Sequence, residues 1–311
     1  MADALDRARL DRFLGPVAPW SLGDVVTLGQ VQCDGFTRRD VAYDVPSGRA
    51  AVSLCIPDDL TRPTALIYCH HQHAHQFLLG KSEVVGLRGD PNLAYAAELA
   101  RRGFVTVSAD AIGFEDRHQH DGRNPGWYEL AARLVKGRTL LADELQEISL
   151  AIDYGLSLAE VDDARGVGFI GHSFGGHLAT WAPAADPRIT VSVSNCGCMS
   201  YAAEPSLDAA FQADIVVPGF GVSYDVADLI EVAGDCQFLV IAGEADRWSR
   251  GAAVLRAEQG TGRLPNLRLH VRPGGHTFPR EDRDLAYAFL ADALAPSDAT
   301  ACTARPGSES R

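Results

Sequence analysis

A glycine-rich serine motif is the part of the sequence with the clearest chemical potential. Residues 166–176 read GVGFIGHSFGG, in which Gly171, Ser173 and Gly175 form the pattern G-x-S-x-G. An apolar segment precedes this pattern and a helical pattern follows it, which predicts a sharp turn between a strand and a helix. The glycines two residues before and after the serine permit that turn, which would expose Ser173 Oγ at the positive end of the helix. The motif therefore predicts a nucleophile.

A serine nucleophile needs a general base, and His276 fits that role. It lies in the segment RPGGHTF (residues 272–278), directly after a predicted strand at residues 267–271. The base comes last in the chain order that this motif predicts, and the two glycines would let the loop bend back over the nucleophile. His270 is the other histidine this far downstream, but it lies within the predicted strand.

The base must in turn be oriented by a carboxylate, for which Asp246 is the best candidate. The predicted strand at residues 237–242 is followed by Gly-Glu-Ala-Asp, which puts Asp246 in the loop between nucleophile and base. Glu244 is the runner-up, although it lies nearer the strand end and is more typical of a turn. Asp225 and Asp228 precede this strand and are weaker candidates.

Acyl transfer also requires two N–H donors that stabilise an oxyanion. The backbone N–H of Phe174, directly after the nucleophile, is predicted to be one of them. The other should come from the loop that follows the strand at residues 65–69, which reads HHQHAHQ. Gln72 or His73 would supply that amide.

The same loop holds four histidines within six residues, which leaves a metal site open as a second interpretation. His71, His73 and His75 alternate, so they would share one side of an extended segment, with His118 and His120 as possible further ligands. We favour a polar pocket wall, because the serine mechanism already requires this loop. The preferred hypothesis therefore includes no metal and no cofactor.

The seven cysteines do not predict a disulfide framework. Their number is odd, and Cys55 and Cys69 end apolar runs that are typical of buried strands. Cys196 and Cys198 form a C-G-C pair, which is too short for the usual zinc spacing and has no second pair after it. We interpret these cysteines as structural and reduced.

The arrangement of predicted elements indicates an α/β fold. From residue 65 onward, continuous apolar strands alternate with helical patterns, which predicts a mostly parallel sheet covered on both faces. We predict a helical extension at residues 1–24, one α/β domain at 25–295 and a disordered tail at 296–311.

Insertions at 111–138 and 197–235 should form the pocket. Contacts with substrate are predicted for Trp127, Tyr128, His172 and Tyr201.

Composition narrows the range of partners. The formal net charge of −13 and the pI near 5.1 argue against nucleic acids and anionic membranes as main partners. The first residues lack the apolar core of a secretory signal, and no apolar run approaches the length of a membrane span. We therefore expect a cytoplasmic protein that acts on a small molecule. The amphipathic N-terminal segment makes a homodimer plausible.

The chain resembles the α/β-hydrolase superfamily and, within it, the dienelactone-hydrolase-like and acetyl-xylan-esterase-like bacterial esterases. Beside the motifs of Ser173, Asp246 and His276, the matching stretches are residues 66–72, 80–83, 100–110, 113–117, 137–140 and 152–154. The chain departs from the family pattern in two respects: the oxyanion loop lacks the His-Gly-Gly form, and Ser173 stands where dienelactone hydrolases proper use cysteine.

The resemblance implies an eight-stranded, mostly parallel sheet, no cofactor and the hydrolysis of a carboxylic ester. The same triad could also serve a thioesterase, a peptidase or a hydrolase of C–C bonds. A metal-dependent hydrolase centred on His71, His73 and His75 is a further hypothesis that the sequence leaves open. A non-catalytic binding member of the fold is the last one.

Overall fold

A single large sheet forms the centre of the molecule. The structure, a computed structural model, describes residues 3–119, 124–202 and 212–296. In these residues the sheet has nine strands: β1 (Val26–Gln32), β2 (Phe36–Val45), β3 (Gly48–Pro57), β4 (Leu66–His70), β5 (Val105–Ala109), β6 (Val167–His172), β7 (Ile189–Asn195), β8 (Gln237–Gly243) and β9 (Leu267–Arg272).

The strand order across the sheet is β1-β2-β3-β5-β4-β6-β7-β8-β9. The pairs β1–β2, β2–β3 and β3–β5 are antiparallel, and the remaining pairs, from β4–β5 to β8–β9, are parallel. Because β4, β6, β7, β8 and β9 run in one direction, their carboxyl ends meet along one edge of the sheet. That edge carries the loops that hold Gln72, Ser173, Asp246 and His276.

The apolar composition of the central strands explains why they are buried on both faces. Every residue of β4 and β6 is buried, and in β8 only the first residue is exposed. Side chains alternate between the faces, so that Tyr68 and Phe169 pack in one core and Ile67 and Ile170 in the other. The prediction of a mostly parallel, doubly covered sheet is confirmed.

Helices cover both faces of the sheet. They are α1 (Arg7–Leu14), α2 (Lys81–Val84), α3 (Tyr95–Ala100), α4 (Pro125–Leu134), α5 (Leu140–Leu156), α6 (Phe174–Ala185), α7 (Phe220–Ser223), α8 (Val226–Val232), α9 (Gly251–Gln259) and α10 (Arg280–Ala293). Residues of α2, α3 and α10 belong to one core cluster, and residues of α1, α5, α6, α8 and α9 to the other. Side chains of Asp6, Asn124 and Thr139 cap α1, α4 and α5.

The expected number of eight strands is wrong, because the described chain contains nine. The strand that the sequence pattern did not predict is β1, which pairs with β2 at the edge of the sheet. Its residues are exposed except for one intermediate position, so they show no alternation between a buried and a solvent-facing side. Val26, Leu28 and Val31 remain largely exposed there. Without a buried face, the period-two signal of a strand is lost.

The N-terminal helix α1 docks on the body of the molecule. Leu10 and Leu14 are buried, and the N–H of Thr139 donates to Leu14 O at 2.9 Å. Arg7 also donates to the carbonyl of Ala185 at the end of α6. This segment therefore packs as part of the same fold.

The two predicted insertions contain short helices for which the sequence pattern gave no prediction. Segment 111–138 includes α4, and segment 197–235 includes α7 and α8. Residues 120–123 and 203–211 of these segments lie outside the described residues, as does the predicted tail from residue 297 on. Among the described residues, no helix is both long and apolar enough to cross a lipid bilayer.

Candidate active site

Ser173 occupies a strained turn between β6 and α6. Its backbone has φ 57° and ψ −116°, a conformation that L-residues rarely adopt. The strand ends at His172 and the helix begins at Phe174, so the turn is a single residue. This geometry is the sharp strand-to-helix turn that the G-x-S-x-G pattern predicts.

The motif requires glycines because backbone atoms of other residues pack directly against them. A Cβ atom on Gly171 would clash with the backbone of Gly175, and one on Gly175 would clash with the carbonyl of His70. A Cβ on Gly176 would similarly press against Asn195 O in the neighbouring strand. Any side chain at these positions would push the helix away from the sheet, and Ser173 would lose its position.

The three predicted triad residues lie within hydrogen-bond distance of one another. Ser173 Oγ is 2.8 Å from His276 Nε2, and His276 Nδ1 is 3.0 Å from each oxygen of Asp246. Ser173 follows β6, Asp246 follows β8 and His276 follows β9, so three loops at one edge of the sheet bring them together. A hydroxyl, an imidazole and a carboxylate in this order are the groups needed for nucleophilic acyl transfer.

Asp246 is held as a charged hydrogen-bond acceptor. Burial alone would raise the pKa of Asp246, but hydrogen bonds from His276, Ser249 and the N–H of Trp248 outweigh burial and lower it. Ser249 Oγ donates to Oδ2 at 2.8 Å, and the N–H of Trp248 donates to Oδ1 at 3.0 Å. The runner-up acid, Glu244, is exposed. Asp246 is therefore the carboxylate that can orient His276.

We expect Asp246→Asn to lower kcat by about 10³- to 10⁴-fold, because an amide cannot hold the imidazole in the required tautomer or stabilise its cation. The matched control is Glu244→Gln, two residues away, which should leave kcat within about twofold of the wild type. Both variants would be assayed with p-nitrophenyl acetate at pH 7.5. A larger loss from Glu244→Gln than from Asp246→Asn would show that the wrong acid has been assigned.

His172 packs beside the ring of the candidate base, His276. The sequence predicts that it contacts substrate, but its buried ring lies 4.8 Å from the His276 ring, between centroids, and stacks on Phe278. Burial and the neighbouring His276 lower the pKa of His172 to about 3, so its ring is neutral. Asn195 Nδ2 donates to His172 Nδ1 at 2.7 Å and to the carbonyl of Thr277 at 3.2 Å. The pair thus fixes the loop that carries His276.

Hydrogen bonds of the His71 and Gln72 side chains anchor the predicted oxyanion loop. His71 Nδ1 donates to the carbonyl of Gln72 at 2.7 Å, and His71 Nε2 accepts the N–H of Ala111 at 3.0 Å. The side chain of Gln72 donates to buried Glu83 at 3.1 and 3.3 Å. Phe174 opens α6, and the first N–H groups of a helix have no acceptor within the helix. Phe174 thus stays the predicted first oxyanion donor, and Gln72 or His73 stays the predicted second one.

The four histidines of this loop do not converge on one point. His70 and His71 are buried, and burial lowers the pKa of His71 to about 4. Both ring nitrogens of His71 are used by the backbone contacts described above, and His73 Nδ1 accepts the N–H of His75 at 3.1 Å. Among the described residues, the side-chain groups spaced closely enough to share a metal ion include none of these histidines.

Lys81 organises an ion cluster, buried except at Asp116, that was not predicted from the sequence. Its Nζ lies 2.7 Å from Asp110, 2.6 Å from Asp116 and 3.6 Å from Glu115. The cluster joins the loop after β4, which includes Gln72, to the loop after β5. Oppositely charged residues in the segments GKSE and DAIGFED, which follow neighbouring strands, were the available signal.

Asp214 is a buried carboxylate without compensation from a hydrogen bond to its side chain. Neither oxygen has a hydrogen-bond partner among the described residues, and the nearby His73 Nε2 lies 3.6 Å from Oδ2. Burial raises the pKa of Asp214 to about 7 and lowers the pKa of His73 to about 3. We therefore expect this pair to be neutral below pH 7, with the proton on Asp214.

This burial predicts a pH-dependent loss of stability. An unfolded Asp titrates near pH 4. Between about pH 4 and 7 the folded state therefore binds one proton more than the unfolded state, and the free energy of unfolding falls as the pH rises through this range. Relative to Asp214→Asn, the wild type should lose about 2 to 3 kcal/mol of unfolding free energy from pH 5 to pH 8. Urea unfolding at both pH values measures this difference. The exposed control Asp24→Asn should show no comparable trend, and a pH-independent difference for Asp214→Asn would contradict the interpretation.

The remaining residues predicted to contact substrate lie outside the hydrogen-bonded triad. Trp127 and Tyr128 lie on α4 with 41% and 52% of their surfaces exposed. Tyr201 is partly buried, and its hydroxyl contacts His177 Nε2 at 2.8 Å and donates to the carbonyl of Ile215 at 3.0 Å. Their contacts with substrate stay a prediction.

The sheet topology and the elbow at Ser173 define an α/β-hydrolase fold. Comparison with solved structures confirms it. The glucuronoyl esterase from Solibacter usitatus superposes with a TM-score of 0.67 over 93% of this chain and 92% of its own, at 17% identity. The acetyl xylan esterase from Paenibacillus sp. R4 superposes with a TM-score of 0.62 over 92% of both chains, at 19% identity.

In sequence, the chain is similar to YtaP of Bacillus subtilis strain 168, which is named as a hydrolase. The two are 30% identical over 142 residues, a match that spans 45% of this chain and 46% of YtaP. The matched segment thus covers less than half of that relative. No family model matches the chain. At the level of fold, the resemblance to acetyl-xylan-esterase-like proteins is confirmed.

Proposed function

We propose that this protein is a serine hydrolase that cleaves a carboxylic ester of a small molecule through an acyl-enzyme. The observation that carries the proposal is the hydrogen-bonded series from Ser173 through His276 to Asp246, with distances of 2.8 and 3.0 Å. Ser173 retains 9% exposure and the side chain of His276 retains 27%, so both can meet a substrate. The esterase names of proteins that share the fold agree with the proposal.

In the first half of the cycle, Ser173 Oγ attacks the acyl carbon while His276 Nε2 takes its proton. Asp246 holds the imidazole by Nδ1 and stabilises the cation that forms on it. The N–H of Phe174 and that of Gln72 or His73 donate to the oxyanion of the tetrahedral intermediate. His276 then gives its proton to the departing alcohol, which leaves the acyl group on Ser173.

In the second half, water enters and His276 takes a proton from it as it attacks the acyl carbon. The second tetrahedral intermediate collapses, the acid leaves and Ser173 recovers its proton from His276. The positions of His172 and Asn195 suit this repeated proton transfer, because they support the His276 loop while His172 itself stays neutral. No cofactor is needed for either half.

The choice of an oxygen ester over other acyl bonds is tested with matched substrates. We expect acetyl esters of p-nitrophenol and of simple alcohols to be hydrolysed with a higher kcat/KM than the acetyl thioester, the acetanilide and a β-diketone. All four would be assayed at one pH, with acyl chains of two to eight carbons for the esters. A preference for the thioester, anilide or diketone would replace the esterase proposal with a thioesterase, a peptidase or a C–C bond hydrolase on the same triad.

The metal-dependent hydrolase and the non-catalytic binding protein have weaker support than the serine esterase. A metal-dependent hydrolase would need His71, His73 and His75 to converge, whereas His71 has both nitrogens engaged by backbone groups. A non-catalytic binding protein would have no need for an activated serine in a strained turn. The small-molecule substrate, the homodimer and the cytoplasmic location stay predictions of the sequence.

A further inference from the structure

A buried thiol lies against the candidate triad and has no role in the proposed ester hydrolysis. Cys196 directly follows β7, with φ 53°, and its N–H donates to Ile241 O at 2.8 Å. Its Sγ lies 3.5 Å from the carbonyl of Thr277. The sulfur of Cys196, a carboxylate oxygen of Asp246 and a ring nitrogen of His276 all lie within 4.8 Å of one another.

We propose that Cys196, Asp246 and His276 form an inhibitory site for a thiophilic divalent cation such as Zn²⁺. Thiolate, imidazole and carboxylate are the ligands that zinc takes in proteins, at about 2.0 to 2.3 Å. Such bonds put neighbouring ligand atoms roughly 3.5 Å apart. Small side-chain rotations bring the present separations to that value, and the fourth position is left to water.

The contrast with the other close cluster of ligand-type side chains strengthens this choice. Asp110, Glu115 and Asp116 also lie within 4.8 Å of one another, but the ammonium of Lys81 already fills that cluster at 2.6 and 2.7 Å. In the site formed by Cys196, Asp246 and His276, the carboxylate is instead paired with the ring of His276 at 3.0 Å. Arg272 approaches the carbonyl of Thr277, but it forms an ion pair with Asp282.

The ion would reach the site from the solvent-exposed side of His276, since 27% of this side chain is exposed. On binding, the Cys196 thiol loses its proton to solvent and a sulfur–metal bond forms. The metal takes the place of the Nδ1 proton between His276 and Asp246, and that proton moves to His276 Nε2. Because Nε2 then carries a proton and Nδ1 is bound to the metal, the imidazole has no free nitrogen to accept the Ser173 proton. Ester hydrolysis stops until a chelator removes the ion.

This inference rests on the proposed function only for its inhibitory effect, and binding is measured independently. The full chain is dialysed against Zn²⁺, and Co²⁺ is used as a second probe, since a cobalt–thiolate bond gives a charge-transfer absorption band. We expect one site per chain and a thiolate band. Cys196→Ser and Cys196→Ala remove a ligand, so they should weaken binding by more than the roughly 10- to 100-fold that losing a hydrogen-bond partner of a ligand costs, and they should abolish the band. Cys236→Ser removes another buried thiol and should bind like the wild type.

Inhibition is read for each variant relative to its own zinc-free hydrolysis of p-nitrophenyl acetate. Zinc should inhibit the wild type and Cys236→Ser, with recovery on adding EDTA, and should lose its effect on both Cys196 variants. Equal zinc affinity in the wild type and in a folded Cys196 variant would overturn the inference, as would the absence of any binding. Cys196-dependent binding without esterase activity would instead contradict the proposed function and leave the site intact.

Discussion

Ser173→Ala is expected to fold normally and to lose hydrolysis of p-nitrophenyl acetate, with kcat reduced by about 10⁴- to 10⁶-fold. Alanine keeps the Cβ atom and therefore the same strained turn, while it removes the oxygen that attacks the acyl carbon. Only the contribution of the oxyanion donors and of substrate binding would remain. Initial rates under saturating substrate measure kcat, and circular dichroism with thermal unfolding measures the fold.

The control for this variant is Ser157→Ala, which removes an exposed serine hydroxyl at the end of α5. It should hydrolyse the substrate at the wild-type rate. If Ser173→Ala retained kcat within about tenfold of the wild type, the hydroxyl would not be the nucleophile, because a triad serine contributes far more than that.

Lys81→Met is expected to destabilise the protein by about 3 to 5 kcal/mol at pH 7.5, because it leaves buried carboxylates without their cation. The Lys81 side chain is 7% exposed and that of Asp110 is fully buried. Burial raises the pKa of Asp110 to about 6 even beside Lys81, so the carboxylate depends on this ion pair to stay charged. Urea unfolding followed by circular dichroism measures the loss.

Asp116→Asn is the matched control, since it removes a partner of Lys81 whose side chain is 58% exposed. It should lose less than about 1 kcal/mol, as exposed ion pairs do. The loss in Lys81→Met should also shrink as the pH falls to 5.5, where the uncompensated carboxyl takes up a proton. A loss in Lys81→Met no larger than that in Asp116→Asn would mean that water or another group already compensates Asp110.

The candidate triad could be predicted from sequence because each member carries a local signal. Ser173 lies in a motif whose glycines are required by packing, and His276 and Asp246 directly follow strands of recognisable apolar composition. The chain order of nucleophile, acid and base then selects them. Their convergence at one edge of the sheet follows from the parallel arrangement, which the alternation of strands and helices predicts.

Further features depend on contacts that no local pattern contains. Lys81 meets Asp110 only because β4 and β5 are neighbours in the sheet, and Cys196 approaches Asp246 only because β7 lies beside β8. The C-G-C spacing suggested a purely structural role for Cys196, since a ligand set assembled from three separate loops leaves no spacing rule in the sequence. The strand β1 escaped prediction because neither of its faces is buried.

The central claim is that His276 activates Ser173, and covalent labelling tests it most directly. A fluorophosphonate probe loses fluoride and bonds to a serine oxygen whose proton a neighbouring base accepts during the attack. After labelling at pH 7.5 and proteolysis, mass spectrometry should find one adduct, on Ser173, in the wild-type protein and a strongly reduced amount in His276→Ala. Absence of the Ser173 adduct in the folded wild type, or equal labelling without the histidine, would contradict the account.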